Sequence, residues 1–132
     1  SDPSYWWANQ FDNPDNYLSH YLSTAPEMYE QMGGKIDAVV VASGSGGTAA
    51  GVSRYMKEKN PKIQIIMPDP VGSGIVNYFN KGEFESDGQY TMTEGVGITR
   101  LVENYKLIQQ DRCYTIDDQK VQYLASFLRK EE

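Results

Sequence analysis

The sequence holds one cysteine, Cys113, and one histidine, His20. A single cysteine excludes an internal disulfide and a cysteine-rich metal centre. A single imidazole argues against any site that needs two, so no metal ligands are expected. Positive charge is also short: 12 Lys and Arg stand against 18 Asp and Glu, a net charge of −6. Such a chain is poorly suited to wrap nucleic acid or to lie on an anionic membrane surface. Its clearest apolar run, Ala38-Val39-Val40-Val41-Ala42, is far too short to span a bilayer. Ser1-Asp2-Pro3-Ser4 has neither the basic nor the apolar part of a signal peptide, and no Met precedes it. The expectation is a cytoplasmic, acidic domain with no nucleic-acid or membrane partner. Internal repeats and low-complexity tracts are absent, and 132 residues suffice for one modest core.

What is present alternates between strand-like and helix-like segments. Tyr5-Trp6-Trp7-Ala8 reads as a short strand, and Asp12-Asn13-Pro14-Asp15-Asn16 as a turn cluster. Ser23-Thr24-Ala25-Pro26-Glu27 reads as a helix start, with proline and a carboxylate in the first turn, and Gly33-Gly34 as that helix's end. Residues 36–42 form the clearest strand, and the Val39-Val40-Val41 run suits burial on both faces of a parallel sheet. A glycine-rich turn follows, then a helix over 48–59, then a second strand over 63–67 stopped by Pro68-Asp69-Pro70. Strand, turn, helix and strand make a βαβ unit. Residues 75–79 and 98–105 read as helical, 81–90 as exposed and polar, and 113–116 as a third strand. Asp117 then caps a helix running to Glu132, whose expected buried stripe is Val121, Leu124, Ala125 and Leu128. No stop signal follows, so residues 1–132 read as one α/β domain cut from a longer chain.

The sharpest motif is Ser43-Gly44-Ser45-Gly46-Gly47-Thr48, between a strand and a helix. Glycines let successive amides turn inward, the helix dipole favours an anion, and Ser45 and Thr48 add hydroxyl donors. The chemistry this suits is a bound phosphate. No lysine follows, so it is not a Walker loop; Ser43 two residues before Ser45 departs from a nucleophile elbow. Gly44-x-Gly46-x-x-Ala49 also fits a dinucleotide fingerprint, with Asp69 after the next strand as the ribose acid. A dinucleotide-binding oxidoreductase domain therefore stays open. Asn9-Gln10-Phe11-Asp12-Asn13-Pro14 is a polar turn in which Gln10 can meet a ligand carboxylate. Glu94-Gly95-Val96-Gly97 allows close backbone approach, with Glu94 available as acid or base. His20 reads as a packed or surface imidazole and Cys113 as a buried small hydrophobe.

In order and spacing these motifs resemble the fold-type II pyridoxal-phosphate enzymes, in the branch of cysteine synthase (O-acetylserine sulfhydrylase) and cystathionine β-synthase. The matching residues are Asn9 to Pro14, His20-Tyr21, Thr24-Ala25-Pro26-Glu27, the 43–51 loop, Asp69-Pro70-Val71-Gly72-Ser73 and Glu94-Gly95-Val96-Gly97. The resemblance implies a Rossmann-like, three-layer αβα domain with a mainly parallel sheet. It implies that Gly44, Ser45, Gly46, Gly47 and Thr48 hold the phosphate of pyridoxal 5'-phosphate. Gln10 would bind the amino-acid carboxylate, Phe11 would line the pocket, and Glu94 and Gly95 would border the cofactor ring, with Glu94 as the candidate catalytic group. The reaction implied is β-replacement through an aminoacrylate. The substrate would be O-acetylserine, serine or cysteine, with sulfide or a thiol entering or leaving, in a homodimer. The family's Schiff-base lysine (S-x-K-x-R) and substrate loop (S-G-N-T) do not occur in these residues, so a catalytically dead homologue is the other alternative. Glu94, where many cysteine synthases carry Gln, leans toward cystathionine β-synthase or hydrogen sulfide-releasing chemistry.

Overall fold

A computed structural model describes Asp2, residues 4–89 and residues 91–131. Ser1 and Pro3, in the segment read as lacking a signal peptide, Tyr90, at the end of the polar stretch, and Glu132, the expected end of the last helix, lie outside the described residues. Three parallel strands, β1 (Ala38–Val40), β2 (Gln64–Pro70) and β3 (Arg112–Ile116), form one sheet in the order β1-β2-β3. Helices flank it: α1 (Pro14–Ser19), α2 (Ala25–Gln31), α3 (Gly47–Lys59), α4 (Ile75–Lys81) and α5 (Asp118–Glu131). This is the α/β class with the βαβ unit expected. Among the described residues no helix is long and apolar enough to cross a membrane.

The N-terminal third is more helical than its composition suggests. Asn13 caps α1, accepting from the Asp15 amide at 3.0 Å, and Pro14 takes the first helical position, where a missing N–H is harmless. The same Asn-Pro-Asp chemistry serves turns and helix starts, so sequence alone did not separate them. The expected second helix starts within Ser23–Glu27, at Ala25 with Thr24 at the cap and Pro26 and Glu27 in the first turn, but it is not a free start. A π-helical turn, His20–Thr24, joins α1 to α2, and the Ala25 amide reaches back to the His20 carbonyl. Pro26 has no amide to offer, which favours a widened ladder at this point. Gly33 and Gly34, at φ of +60° and +70°, end α2. Tyr5, Trp6 and Trp7 are exposed and form no strand.

β2 runs through Pro68-Asp69-Pro70 rather than stopping before it, pairing Pro68 with Tyr114 and Pro70 with Ile116. Prolines fit because the even-numbered residues of β2 address β1: the Gln64 amide donates to Asp37, and Val41 donates to the Ile66 carbonyl. β1 pairs no further than Val40 with Ile66. Pro68 and Pro70 thus lie where no partner strand asks for an amide. One sheet face is the core. Val39, Ile65, Met67 and Cys113 are buried against Ala49, Ala50, Val52 and Met56 of α3 and Ile75 of α4. Val40 is 66% exposed, so β1 is buried on one face and not on both. α5 begins as expected, with the Asp117 carboxylate accepting from Gln119 at 2.7 Å, but its Val121, Leu124 and Leu128 stripe is exposed.

Cys113 is buried at 5% exposure. Burial, reinforced by nearby Asp69, pushes its thiol up to about 12, so almost no thiolate exists at neutral pH. Iodoacetamide at pH 7.5 is expected to label it only after denaturant is added. Labelling in native buffer at the rate of a free thiol would show that this part of the core opens.

Candidate active site

The 43–48 loop leaves the carboxyl end of β1, where open α/β sheets present ligand sites. Gly46 stands at the cap of α3 with φ +85°, a left-handed conformation that glycine accepts without strain. Neighbours on the protein side grip the loop. Tyr105 Oη donates to the Gly44 carbonyl at 2.8 Å, and the Asn104 side-chain amide donates to the Ser45 carbonyl at 3.1 Å. Both residues are 1% exposed, and burial pushes the Tyr105 hydroxyl well above its usual range, which keeps it a donor.

The glycines are required by that grip as much as by any ligand. A Cβ on Gly44 would collide with the Gly95 carbonyl, and one on Gly47 with the Asn16 side chain. A Cβ on Gly46 would press on Asn104 and Tyr105, both at 3.1 Å. A side chain at Gly46 therefore starts toward the core and not toward the anion.

The Gln10-Phe11 turn is tied to the same loop. The Asn104 amide also donates to the Gln10 carbonyl at 3.0 Å, and the Asn16 amide donates to both the Gln10 carbonyl and Ser45 Oγ. A strap of residues 93–99 crosses on the other side. Gly97 donates to the Ser43 carbonyl at 2.9 Å; Ile98 donates to Ser73 Oγ at 3.1 Å and accepts from Gly74 at 3.2 Å. These outside partners engage Gly97 and Ile98, residues 98–102 stay non-helical, and only Glu103–Leu107 makes a short 3-10 turn, where a longer helix was expected.

Loop, turn and strap enclose a cavity of about 570 Å³, within the range of small-molecule sites. Gln10, Phe11, Gly44, Ser45, Thr48 and Gly95 all line it. Gly46 and Gly47 are not among its lining residues; both are buried where the loop enters α3. Glu94 is exposed on an adjoining depression of about 220 Å³ that shares Gly95 with the main cavity. Arg100, which sequence reading passed over, also lines the main cavity. Its guanidinium lies over the Phe11 ring, 5.3 Å from the centroid, and 3.5 Å from the Asp12 carboxylate. Asn16, Asn104 and Tyr105 were missed as well. Asn104 stands beside the exposed Glu103, so nothing in the sequence marks it; its burial, which obliges the amide to find specific partners, is visible only in the structure.

A phosphate monoester fits this arrangement. Among the described residues no acceptor is bonded to the amides of Gly44, Ser45, Gly46, Gly47 or Thr48, and two hydroxyls border them. No cluster of metal-ligating side chains is found among the described residues.

A parallel sheet with free amides at the carboxyl end of its first strand, walled by a polar-aromatic turn, is an α/β domain with a loop suited to a phosphate. The chain belongs to the family described as pyridoxal-phosphate dependent enzyme, which matches residues 1–132. It is 38% identical over 135 residues to cysteine synthase 2 of Schizosaccharomyces pombe, a match covering 93% of this chain and 34% of that protein. It is 41% identical over 119 residues to cysteine synthase 1 of Neurospora crassa, covering 86% and 31%. A crystal structure of O-acetylserine dependent cystathionine beta-synthase from Helicobacter pylori matches with a TM-score of 0.69 at 35% identity, covering 83% of this chain and 33% of that one. The chain thus spans about a third of the length of the curated relatives it matches.

The dinucleotide alternative fails on two grounds. The family is a different one, and Asp69 is 2% exposed, so it cannot reach a ribose.

Proposed function

We propose that the longer protein carrying these residues is a pyridoxal-phosphate-dependent β-replacement enzyme of cysteine metabolism, and that this domain holds the cofactor phosphate and part of the substrate pocket. The family match and the relatives' names support the class of reaction. The observation that carries the site is the single cavity into which both the amide cradle and the Gln10-Phe11 turn open, held in register by Asn16 and Asn104.

When bound, the cofactor supplies an electron sink for loss of a β-substituent from an amino acid. The residues of this chain bind and orient. The cradle amides of residues 44–48 hold the phosphate, with Ser45 and Thr48 adding hydroxyls and Gly46 and Gly47 setting the loop's shape. Gln10 meets the substrate carboxylate, Phe11 walls the pocket, and Gly95 brings the strap against the cofactor. Glu94, on the strap at the adjoining depression, is proposed as an acid or base for the incoming or leaving group. O-acetylserine, serine or cysteine with sulfide or a thiol are the substrates this reading favours, with hydrogen sulfide release as a further outcome. A cytoplasmic homodimer is the setting proposed, on family resemblance alone.

The test is the visible absorption of the complete protein with added pyridoxal phosphate, before and after O-acetylserine, serine or cysteine. A band that shifts with one of these amino acids supports the reading and ranks the substrates. A protein that binds no pyridoxal phosphate overturns it.

A further inference from the structure

His20 is the one imidazole in the chain, and both its ring nitrogens are engaged. Nδ1 lies 3.0 Å from Thr24 Oγ1, and Nε2 lies 3.1 Å from Thr48 Oγ1. Thr48 lines the cavity and follows the amide cradle. Two backbone features bring the imidazole there. His20 opens the π-helical turn that ends at Thr24, and such turns concentrate at functional sites. On α3, one turn beyond Thr48, Gly51 lets the two helices meet at their backbones; a Cβ there would lie 2.5 Å from the Tyr17 carbonyl and 2.7 Å from His20 Cβ.

The row Thr24, His20, Thr48 is directional in one tautomer only. If Nε2 accepted from Thr48, that hydroxyl would spend its single proton on the imidazole and offer a phosphate only lone pairs. If Nε2–H donates to Thr48 Oγ1, the Thr48 proton is free to point at an anion. Nδ1 is then an acceptor, and the Thr24 hydroxyl is placed to supply its proton.

We propose that His20 is a positioning residue: through Nε2–H it turns the Thr48 hydroxyl toward a phosphate held by the cradle, while the Thr24 hydroxyl donates to Nδ1. The proposal rests on the phosphate-loop reading above. It is tested by titrating pyridoxal phosphate, and separately pyridoxal, which has no phosphate, into the complete apoprotein and its variants. Thr48→Val is expected to weaken pyridoxal phosphate about tenfold, as for one hydrogen bond to a charged group. His20→Ala should weaken it several-fold and add nothing in the Thr48→Val background, the signature of residues acting through one another. His20→Gln, which keeps an amide N–H near the Nε2 position, should restore most of the affinity. Pyridoxal binding should not change in any variant.

An unchanged affinity in Thr48→Val overturns the loop reading itself. A loss in Thr48→Val with none in His20→Ala, or two losses that multiply, overturns the role of His20 alone. So does equal weakening of pyridoxal, which marks mere packing. If His20→Ala does not fold, Thr24→Val keeps the imidazole and removes only the hydroxyl that donates to Nδ1 in the proposed row. A phosphate-specific loss there supports the relay, and parent affinity overturns it.

Discussion

Gly44→Ala is expected to weaken pyridoxal phosphate binding sharply while leaving the chain folded. The backbone at Gly44 is not in the left-handed region, so alanine meets no conformational objection. The objection is a neighbour: the new Cβ would collide with the Gly95 carbonyl on the strap. Both groups belong to backbone that is held elsewhere, Gly44 by Tyr105 and the strap by Ser43 and Ser73. Neither can yield without reshaping the cavity. Forcing one methyl into a packed contact costs about 1–3 kcal/mol. If that falls on the liganded arrangement, it converts to roughly 5- to 150-fold in affinity. Absorbance titration of the complete apoprotein measures it, and a thermal melt of the same sample reports the fold. Parent affinity in Gly44→Ala would show that loop and strap need not touch when the cofactor is bound.

The second large effect is on stability and is set by pH. Asp69 is buried beneath the turn that leads into α4, with Oδ1 unpartnered and Oδ2 accepting only a 3.4 Å bond from the Val76 amide. Burial pushes its carboxyl up to about 6, against the weaker opposing pull of the nearby Ser73 hydroxyl and the Val76 and Ile75 amides. In the unfolded chain an aspartate titrates near 3.9. The folded form therefore holds its proton more tightly. This contribution to stability is fully present below about pH 4 and is lost as pH rises through about 6, a swing of roughly 3 kcal/mol. Asp69→Asn cannot ionise and should lack this swing. Relative to the parent, the variant should gain stability between pH 4.5 and pH 7.5. Urea unfolding of both proteins at both pH values gives the difference. Any packing change common to the two pH values cancels from it. An equal difference at pH 4.5 and pH 7.5 would show that Asp69 is solvated in the native protein.

Asp69 also shows how far reading the chain could go. Its position after the second strand made it a candidate ribose acid. Only the pairing of β2 with β3 as far as Pro70 and Ile116, together with the packing over that end, places its carboxyl in the core. Gly46 makes the same point. Its glycine was legible as a requirement of the turn, but the direction a side chain would take, into Asn104 and Tyr105, depends on residues almost sixty positions away.

What the sequence by itself determined is local. The β-branched run, the Gly-rich turn, the helix after it and the second β-branched run define the βαβ unit, because strand pattern, glycine conformation and capping act within a few residues. The ordered motifs also carried the family and its cofactor, since each is a contiguous string. Tertiary structure decided the rest. It made Asn13-Pro14 a helix start, because α1 could pack on α3. It kept the start of the 98–102 segment out of a helix, because Ser43, Ser73 and Gly74 engage the backbone of Gly97 and Ile98. It brought Gln10, Ser45 and Asn104 into one hydrogen-bonded set across 94 positions of chain. It also turned His20 from an imidazole read as packed or on the surface into a contact of Thr48. Local propensities act over a turn or two of backbone, whereas a binding cavity is made where distant segments satisfy one another's buried polar groups.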